Sequence, residues 1–340
     1  MSLQNTVKHD PNKPLVSVVI PVYNVEAYIE QALSSVLAQT YTHLEIIIID
    51  DQTPDKSIER IEHNFNDQRI KIIRQKNRGL AGARNTGIRH AHGQFVALLD
   101  SDDFWAKDKI EKHMDIMLKN PNCGLSFCAS RFVDKDANQL KHRQAPKKNI
   151  NYKANDIFCR NPIGNGSAPV IRKSILEQIG FQHDDKTKSG EPYIQYFNES
   201  LKQSEDIDCW TRMSILTATD FHFIDEELTF YRLIDNSLSA DVETQFSTWM
   251  TLLENLEHYA PSFAKKYGPT AKSFQYRYLA RRSLFQGNAK NALTFMWLAL
   301  KTKPTAMLYE FKKTAETITC AIVLTLLPHK VQLSLMKHLV

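Results

Sequence analysis

The first hundred residues alternate between short apolar runs and segments with helical spacing, and this alternation limits the possible folds most strongly. The apolar runs are typical of buried β-strands, and they cover residues 16–20, 45–50, 70–73 and 95–99. Apolar strands separated by helices are typical of a parallel sheet that is covered on both faces. Because crossovers between parallel strands are right-handed, we predict a Rossmann-like, mostly parallel α/β domain with helices on both faces.

Helical spacing fills the gaps between these strands. We predict that Asn24 is the N-cap of the first helix, because asparagine accepts hydrogen bonds from free helix amides. Ile58, Ile61 and Phe65 mark a second helix, and a third runs near residues 81–91. Beyond residue 103 we predict a helix at 110–118 and strands at 123–128 and 167–171. Residues 134–160 and 182–204 are predicted to be polar and irregular, and residues 244–340 to be mainly helical.

Polar residues follow three of the predicted strands at their carboxyl ends. Tyr23-Asn24 follows the first strand, Asp50-Asp51 the second, and Asp100-Ser101-Asp102-Asp103 the fourth. Ligands of open parallel sheets bind beyond these ends, so one crevice would collect all three groups. Clustered carboxylates raise one another's pKa unless a cation neutralises them, and Mg²⁺ binds one or two carboxylates together with phosphate oxygens. The alternative is an acidic turn that caps the following helix.

The C-terminal quarter of the chain is strongly basic. Residues 265–340 contain thirteen Lys or Arg and two acids, a balance of +11, although the whole chain carries +5. Such a segment implies an anionic partner, either a membrane face or a nucleic acid, or else a solvated helical surface. The apolar run at 318–327 is too short to span a bilayer and suits either interfacial docking or burial in a core.

Cysteine usage and the N-terminus bear on the compartment. The five cysteines include no Cys-x-x-Cys pair, so they indicate neither a zinc site nor a disulfide framework. Residues 1–14 are polar and lack the apolar core of a signal peptide. We therefore expect a cytoplasmic protein. Because of its basic C-terminal segment, we expect it to be peripheral on the inner face of the cell membrane.

Five stretches of the chain, taken in order, resemble the family 2 glycosyltransferases over roughly residues 15–240. The stretches are residues 16–24, 48–51, 77–87, 99–103 and 205–206, with a weaker sixth at Tyr231-Arg232 before Asn236-Ser237. The resemblance implies an inverting enzyme with the A-type nucleotide-diphosphosugar transferase fold. Together with the helical spacing and basic charge of the last hundred residues, it divides the chain into an extension (1–14), a catalytic domain (15–240, with a nucleotide-binding half 15–104 and an acceptor half 105–240), and a basic helical C-terminal region (241–340).

The resemblance also implies a role for each matching residue. Asp51 would hydrogen-bond the nucleotide base, with Asp50 beside it, and Arg84 would lie near the base and diphosphate. Asp100 would contact the ribose or the metal, Asp102 would ligate Mn²⁺ or Mg²⁺, and Asp206 would be the general base with Glu205 adjacent. Further nucleotide contacts are expected at Pro21, Tyr23, Asn24 and Arg78. Contacts with the acceptor or diphosphate are expected at Asp103, Trp210, Tyr231 and Arg232.

The chain departs from the family pattern at two places. Gln52 stands where a glycine commonly follows the acid pair, which leaves the local turn open. The Gln-x-x-Arg-Trp signature of processive members is absent after Asp206. We therefore expect one sugar to be moved per encounter, from a nucleotide-diphosphate donor such as a UDP-sugar to a hydroxyl of a glycan or lipid-linked acceptor in surface polysaccharide synthesis.

Two other functions fit parts of the sequence. A sugar nucleotidyltransferase would carry a Gly-rich loop after the first strand, where this chain has Pro21-Val22-Tyr23-Asn24. A nucleic-acid-binding protein could use the basic region, but we expect no nucleic acid, because the sheet crevice is acidic. Glu205-Asp206 also has a structural alternative, as first-turn acids of a helix that follows Ser204.

Overall fold

The computed structural model describes residues 13–146, 152–183, 192–234 and 242–327. The chain divides into two compact units, one of residues 1–154 and 162–234, the other of residues 155–161 and 235–340. The predicted motif residues Asn236 and Ser237 lie outside the described residues. No helix in the described part of the chain is long and apolar enough to cross a membrane.

Four parallel strands form the first half of the sheet, which confirms the prediction from the apolar runs. They are β1 (Val16–Val22), β2 (Leu44–Asp50), β3 (Ile70–Arg74) and β4 (Phe95–Leu98), in the spatial order β3-β2-β1-β4. The registers pair Val22 with Asp50 and Asp50 with Arg74, so these strands end at one edge of the sheet. β1 is buried along its whole length, which explains its continuous apolar pattern.

Three helices connect these strands, namely α1 (Ile29–Leu37), α2 (Ser57–Asn64) and α3 (Gly79–His90). Ile29, Leu33 and Val36 of α1 pack into the core. The prediction that Asn24 caps α1 is wrong, because the helix begins at Ile29 after Tyr28. Asn24 instead has a left-handed backbone with φ +56°, a conformation that asparagine tolerates better than most residues.

The second half of the sheet is mixed. Beyond β4 the order continues β8-β6-β11-β5, with β7 paired to β6, so nine strands form one sheet within the described ranges. These strands are β5 (Phe104–Trp105), β6 (Cys123–Val133), β7 (Gln139–Gln144), β8 (Pro169–Arg172) and β11 (Asp220–Arg232). β8 is antiparallel to β4 and to β6, whereas β11 is parallel to β6. The loop before β8 therefore lies beside the loop after β4.

Three more helices, α4 (Lys109–Lys119), α6 (Lys173–Ile179) and α7 (Glu205–Leu216), complete this unit. Two segments that we predicted as irregular contain regular structure. Residues 134–160 include β7 and helix α5 (Ala154–Arg160), while β10 (Tyr193–Gln195) pairs with β9 (Phe181–His183). β7 is largely exposed on both faces, so it carries none of the apolar alternation from which strands are predicted.

The second unit is helical, as predicted for the C-terminal region. Its helices are α8 (Val242–Tyr259), α9 (Pro261–Phe285), α10 (Ala289–Thr302), α11 (Pro304–Leu308) and α12 (Phe311–Thr325). The apolar stripe of α10 forms part of the core of this unit through Ala292, Met296 and Ala299. Most of α5 belongs here too, and its Phe158 ring stacks on Trp249 at 5.9 Å.

Candidate active site

The acidic loop after β4 is hydrogen-bonded to the loop before β8. The Ser167 hydroxyl donates to Asp103 Oδ2 at 2.6 Å and accepts from the Asp100 amide at 3.0 Å. The amide of Arg232 donates to Asp103 Oδ1 at 2.9 Å. Both Asp103 oxygens accept hydrogen bonds and the residue is only 1% exposed, while its contact with the acceptor or diphosphate stays a prediction. Asp103 holds the loop in place.

Arg232 is a second buried support of the same loop. Its Nε donates to the Asp102 carbonyl oxygen at 2.8 Å, and its Nη2 donates to Gln31 Oε1 at 2.6 Å. The guanidinium of Arg232 is therefore engaged inside the protein, and its contact with the acceptor or diphosphate stays a prediction. Trp210 is also fully buried and packs edge to face with the Phe197 ring. Its contact with the acceptor stays a prediction. Tyr231 is half-buried, and its contact with the acceptor stays a prediction.

Asp100 and Asp102 keep partly exposed carboxylates at this edge of the sheet. Burial, and then the neighbouring Asp100 carboxylate, raise the pKa of Asp102 to about 6. In the described part of the chain, no three acidic, His or Cys side chains converge to hold a metal ion on their own. Two crowded carboxylates nevertheless fit Mg²⁺ or Mn²⁺, if the ion takes its other ligands from a substrate diphosphate and water.

A buried arginine on α3 connects the acidic loop to the start of α7. Arg84 Nη2 donates to Asp100 Oδ1 at 2.6 Å, and Nη1 donates to Glu205 Oε1 at 2.7 Å. Burial disfavours the charge of this guanidinium, but the carboxylates of Asp100 and Glu205 outweigh burial and raise the Arg84 pKa. A Cβ at Gly166 would collide with the guanidinium. Glycine therefore lets the loop before β8 approach Arg84 closely, a feature that sequence analysis missed.

Glu205 and Asp206 form the first turn of α7. Ser204 precedes the helix with a left-handed φ of +62° and makes no side-chain capping bond. Burial raises the pKa of Glu205 to about 7, and Asp206 adds to this rise, although Arg84 opposes it. Asp206 is half-buried, and its Oδ1 accepts from the Ile207 amide at 2.7 Å. First-turn acids suit a helix N-terminus, but that alternative does not account for the buried bridge from Glu205 through Arg84 to Asp100.

Asp51 organises the N-terminus of α3. Its Oδ1 accepts from the Arg78 amide and its Oδ2 from the Gly79 amide, each at 2.9 Å. Gln75 Nε2 donates to the same Oδ1 at 2.7 Å, and Asp51 is 3% exposed. The structure therefore gives Asp51 a helix-capping role, while the hydrogen bond to a nucleotide base stays a prediction. Asp50 Oδ1 accepts from the Thr53 amide at 3.0 Å and stabilises the turn that follows.

Gln52 occupies the position where the family pattern has glycine. It adopts a left-handed φ of +60°, which is the conformation that glycine takes without steric cost. Its side-chain Oε1 accepts from the Asn77 amide at 3.3 Å. The turn is therefore retained, at the expense of local backbone strain.

The remaining predicted nucleotide contacts lie around the same sheet edge. Tyr23 and Asn24 are exposed directly after β1, whereas Pro21 is buried within that strand. The Asn24 amide donates to Thr53 Oγ1 at 2.8 Å, which joins the loops after β1 and β2. Nucleotide contacts by Pro21, Tyr23 and Asn24 stay predictions.

A buried clip on α3 fixes the segment that leads into α7, and we did not predict it. Asn85 Oδ1 accepts from the amides of Tyr196 and Phe197 at 2.9 and 2.8 Å, and Nδ2 donates to the Phe197 carbonyl oxygen at 2.8 Å. Nδ2 also donates to Glu199 Oε1 at 2.9 Å. Arg78 Nη2 donates to both Glu199 carboxylate oxygens at 2.8 and 2.9 Å. Asn85 lies inside the 77–87 stretch, but Glu199 has no sequence signal.

Comparisons with known proteins show the family to which the chain belongs. The family model described as "Glycosyl transferase family 2" matches residues 17–180. The chain is 32% identical over 245 residues to the putative teichuronic acid biosynthesis glycosyltransferase TuaG of Bacillus subtilis, covering 71% of this chain and 88% of TuaG. It therefore belongs to the family 2 glycosyltransferases and is a glycosyltransferase.

The chain is also similar to another curated glycosyltransferase and to a solved structure. The chain is 37% identical over 168 residues to the UDP-Glc:alpha-D-GlcNAc-diphosphoundecaprenol beta-1,3-glucosyltransferase WfgD of Escherichia coli, covering 49% of this chain and 64% of WfgD. The mannosyltransferase PcManGT of Pyrobaculum calidifontis, solved with GDP-Man and Mn²⁺, has a TM-score of 0.57 at 16% identity, covering 95% of this chain and 88% of that chain. This structural match shows the shared fold.

Proposed function

We propose that the protein transfers one sugar, with inversion, from a nucleotide-diphosphate donor to a hydroxyl of a glycan or lipid-linked acceptor in surface polysaccharide synthesis. A UDP-sugar donor and a lipid-linked acceptor are supported by the name of WfgD, and a polysaccharide role by that of TuaG. Membership of the family supports the reaction type. We further propose the domain boundaries at residues 15, 240 and 340, with the site residues as assigned above.

The bridge formed by Arg84 is the observation that carries this proposal. It joins Asp100, at the end of β4, to Glu205, at the start of α7, although these two acids are far apart in the sequence. The acids that we propose for the donor side and for the acceptor side are therefore bridged by one buried cation. The Asp100–Asp102 pair beside the Glu205–Asp206 pair supports a single crevice in which a donor and an acceptor would meet.

Asp100 and Asp102 are the residues that would hold a divalent cation in this site. When bound, such an ion would supply Lewis-acid stabilisation for the charge that develops on the departing diphosphate. The raised pKa of Asp102 supports the assignment, because burial and the neighbouring Asp100 carboxylate disfavour its charge and a bound cation would stabilise that charge. PcManGT was solved with Mn²⁺, which supports the same chemistry.

Asp206 would act as the general base. In a single displacement the acceptor oxygen bonds to the anomeric carbon as the bond to the diphosphate oxygen breaks, and the hydroxyl proton passes to a carboxylate. A carboxylate within hydrogen-bond reach contributes about 10²–10⁴-fold to such a step. Glu205 is held by Arg84, and so it would orient the start of α7 while Asp206 takes the proton.

The attachment of the protein to membranes completes the proposal. A lipid-linked acceptor is confined to a membrane surface, and the basic segment 265–340 would bring the enzyme to the inner face of that membrane. A donor in the cytoplasm and an acceptor in the membrane would then meet at the crevice.

Calorimetric titration of UDP with and without EDTA tests the donor site. We expect binding with Mn²⁺ or Mg²⁺ and at least tenfold weaker binding in EDTA, with Asp102→Asn reducing the effect of the metal. The matched control is Asp136→Asn, which removes an exposed carboxylate from another loop. GDP serves as the competing nucleotide. Equal UDP affinity in both buffers would exclude the proposed metal role, and binding of GDP alone would exclude a UDP-sugar donor.

A further inference from the structure

One face of helix α12 is apolar and exposed. Phe311, Ile322 and Leu326 recur at helical spacing, and they are 67%, 51% and 82% exposed. The opposite face packs into the core of the unit through Ala321 and Leu324. Large apolar side chains that share one exposed helix face are typical of an interaction surface rather than of scattered surface residues.

An open apolar cleft continues this face. The cleft has a volume of about 460 Å³ and is lined by residues of α10, α11 and α12, among them Leu300, Leu308, Phe311 and Ile318. Leu308 and the adjacent Tyr309 are themselves 66% and 82% exposed. The apolar surface of α12 therefore extends across the turn that joins it to α11.

Lysine side chains border the apolar surface. Lys312 is exposed in the first turn of α12, whereas the adjacent Lys313 donates to Glu310 Oε1 at 3.1 Å. Lys301 and Lys303 are exposed at the end of α10, next to Leu300 and Pro304 of the cleft. Lys301 Nζ lies 4.9 Å from the centroid of the Trp297 ring, which is also exposed. An apolar face with lysines along its edge and an aromatic ring nearby is the composition of a helix that lies in a membrane interface.

We propose that the surface formed by Leu308, Tyr309, Phe311, Ile322 and Leu326 inserts into the headgroup region of an anionic bilayer. Lys301, Lys303 and Lys312 pair with lipid phosphates at its edge. The lysine stems reach along the apolar surface while their ammonium groups remain at headgroup level. This inference rests on the proposed membrane attachment and assigns it to a defined surface.

Vesicle co-sedimentation of the full chain tests the surface. We expect binding to phosphatidylglycerol vesicles at 0.1 M salt, weak binding to phosphatidylcholine, and release at 1 M salt, where the Debye length falls from about 10 Å to about 3 Å. Phe311→Ser/Ile322→Ser/Leu326→Ser should lower the partition coefficient at least tenfold. The matched control is Leu118→Ser, which removes an apolar side chain that is 51% exposed on α4.

A charge variant tests the lysine edge independently of the apolar face. Lys303→Gln/Lys312→Gln should weaken phosphatidylglycerol binding about tenfold or more, because each lysine near an anionic surface contributes about fivefold. Lys107→Gln/Lys119→Gln makes the same charge change at exposed positions of the other unit and should have a much smaller effect. If the triple variant fails to fold, this pair still decides the proposal.

Three results would overturn the proposal. They are equal binding to both lipids, an equal loss of binding in the control variants, and a dimer in light scattering that the triple variant dissociates. The last result would show that a second copy of the chain covers the face. UDP titration of the same variants separates this outcome from failure of the proposed function, because a docking variant should bind UDP as the unaltered chain does.

Discussion

Replacement of Glu205 by glutamine should change how stability depends on pH. Glu205 is 7% exposed, and burial raises its pKa to about 7 in the folded protein from 4.5 in the unfolded chain. An acid with a raised pKa binds its proton more tightly in the native state than in the unfolded state. The folded protein is therefore favoured below pH 4.5 and loses this contribution as the pH rises through 7.

The size of the effect follows from the displacement of the pKa. A rise of about 2.5 pKa units corresponds to about 3 kcal/mol, at about 1.4 kcal/mol per unit. In Glu205→Gln this loss is absent, because the amide carries no titrating proton. Arg84 keeps its bond to Asp100 in the variant. The difference in unfolding free energy between variant and unaltered protein should therefore rise by about 3 kcal/mol between pH 4.5 and pH 8.

Urea unfolding without divalent cations, repeated from pH 4.5 to pH 8, measures this difference. The slope with pH is the quantity of interest, because any pH-independent cost of the substitution cancels. Glu257→Gln removes an exposed carboxylate from α8 and serves as the control. Parallel curves for Glu205→Gln and the unaltered chain would refute the reasoning, since they would mean that Glu205 titrates alike in the folded and unfolded states.

Three further substitutions test separate parts of the site. Asp206→Asn should preserve UDP binding but lower kcat by about 10²-fold or more, as loss of a general base requires. Unchanged turnover would mean that another residue is the general base, and Glu205 would be the first residue to test. Asn85→Ala removes three buried hydrogen bonds and one partly buried hydrogen bond. It should cost about 2–4 kcal/mol in urea unfolding, with kcat falling more than the donor KM changes; unaltered stability would show that the clip contributes nothing to folding. Gln52→Gly should stabilise the folded protein by up to about 1 kcal/mol, since it relieves the strain of a left-handed backbone at residue 52, whereas Gln52→Ala should not stabilise it. Equal effects of the two substitutions on the thermal midpoint would contradict this expectation.

The parallel half of the sheet could be predicted because strands that are buried on both faces have continuous apolar runs in the sequence. β1 and β2 are almost wholly apolar, and their polar residues begin where the strands end. The order of the motifs then predicted the position of the crevice and the family of the chain. β7 and α5 escaped prediction because exposed or short elements carry too little apolar periodicity to be distinguished from loops.

Residue type alone could not predict which side chains of the motifs are buried in the protein. Asp103, Trp210 and Arg232 all belong to types that are common in active sites, yet the structure buries each of them. Their burial depends on the partners Ser167, Phe197 and Gln31, which are distant in the sequence or carry no motif. The Asn85–Glu199 contact could not be predicted either, because Glu199 belongs to none of the stretches that match the family.

The charge balance of the crevice explains why donor and cation would bind together. Asp100, Asp102, Asp103, Glu205 and Asp206 contribute five carboxyl groups, and the pKa values of three of them, Asp102, Asp103 and Glu205, are raised by burial and by neighbouring carboxylates. Arg84 and Arg232 are the buried cations beside them, and both are already engaged with protein oxygens. A diphosphate entering alone would add negative charge to a site that already lacks compensation. Donor affinity should therefore increase with the concentration of divalent cation, and it should fall most steeply on chelation above pH 7, where Glu205 and Asp102 are ionised.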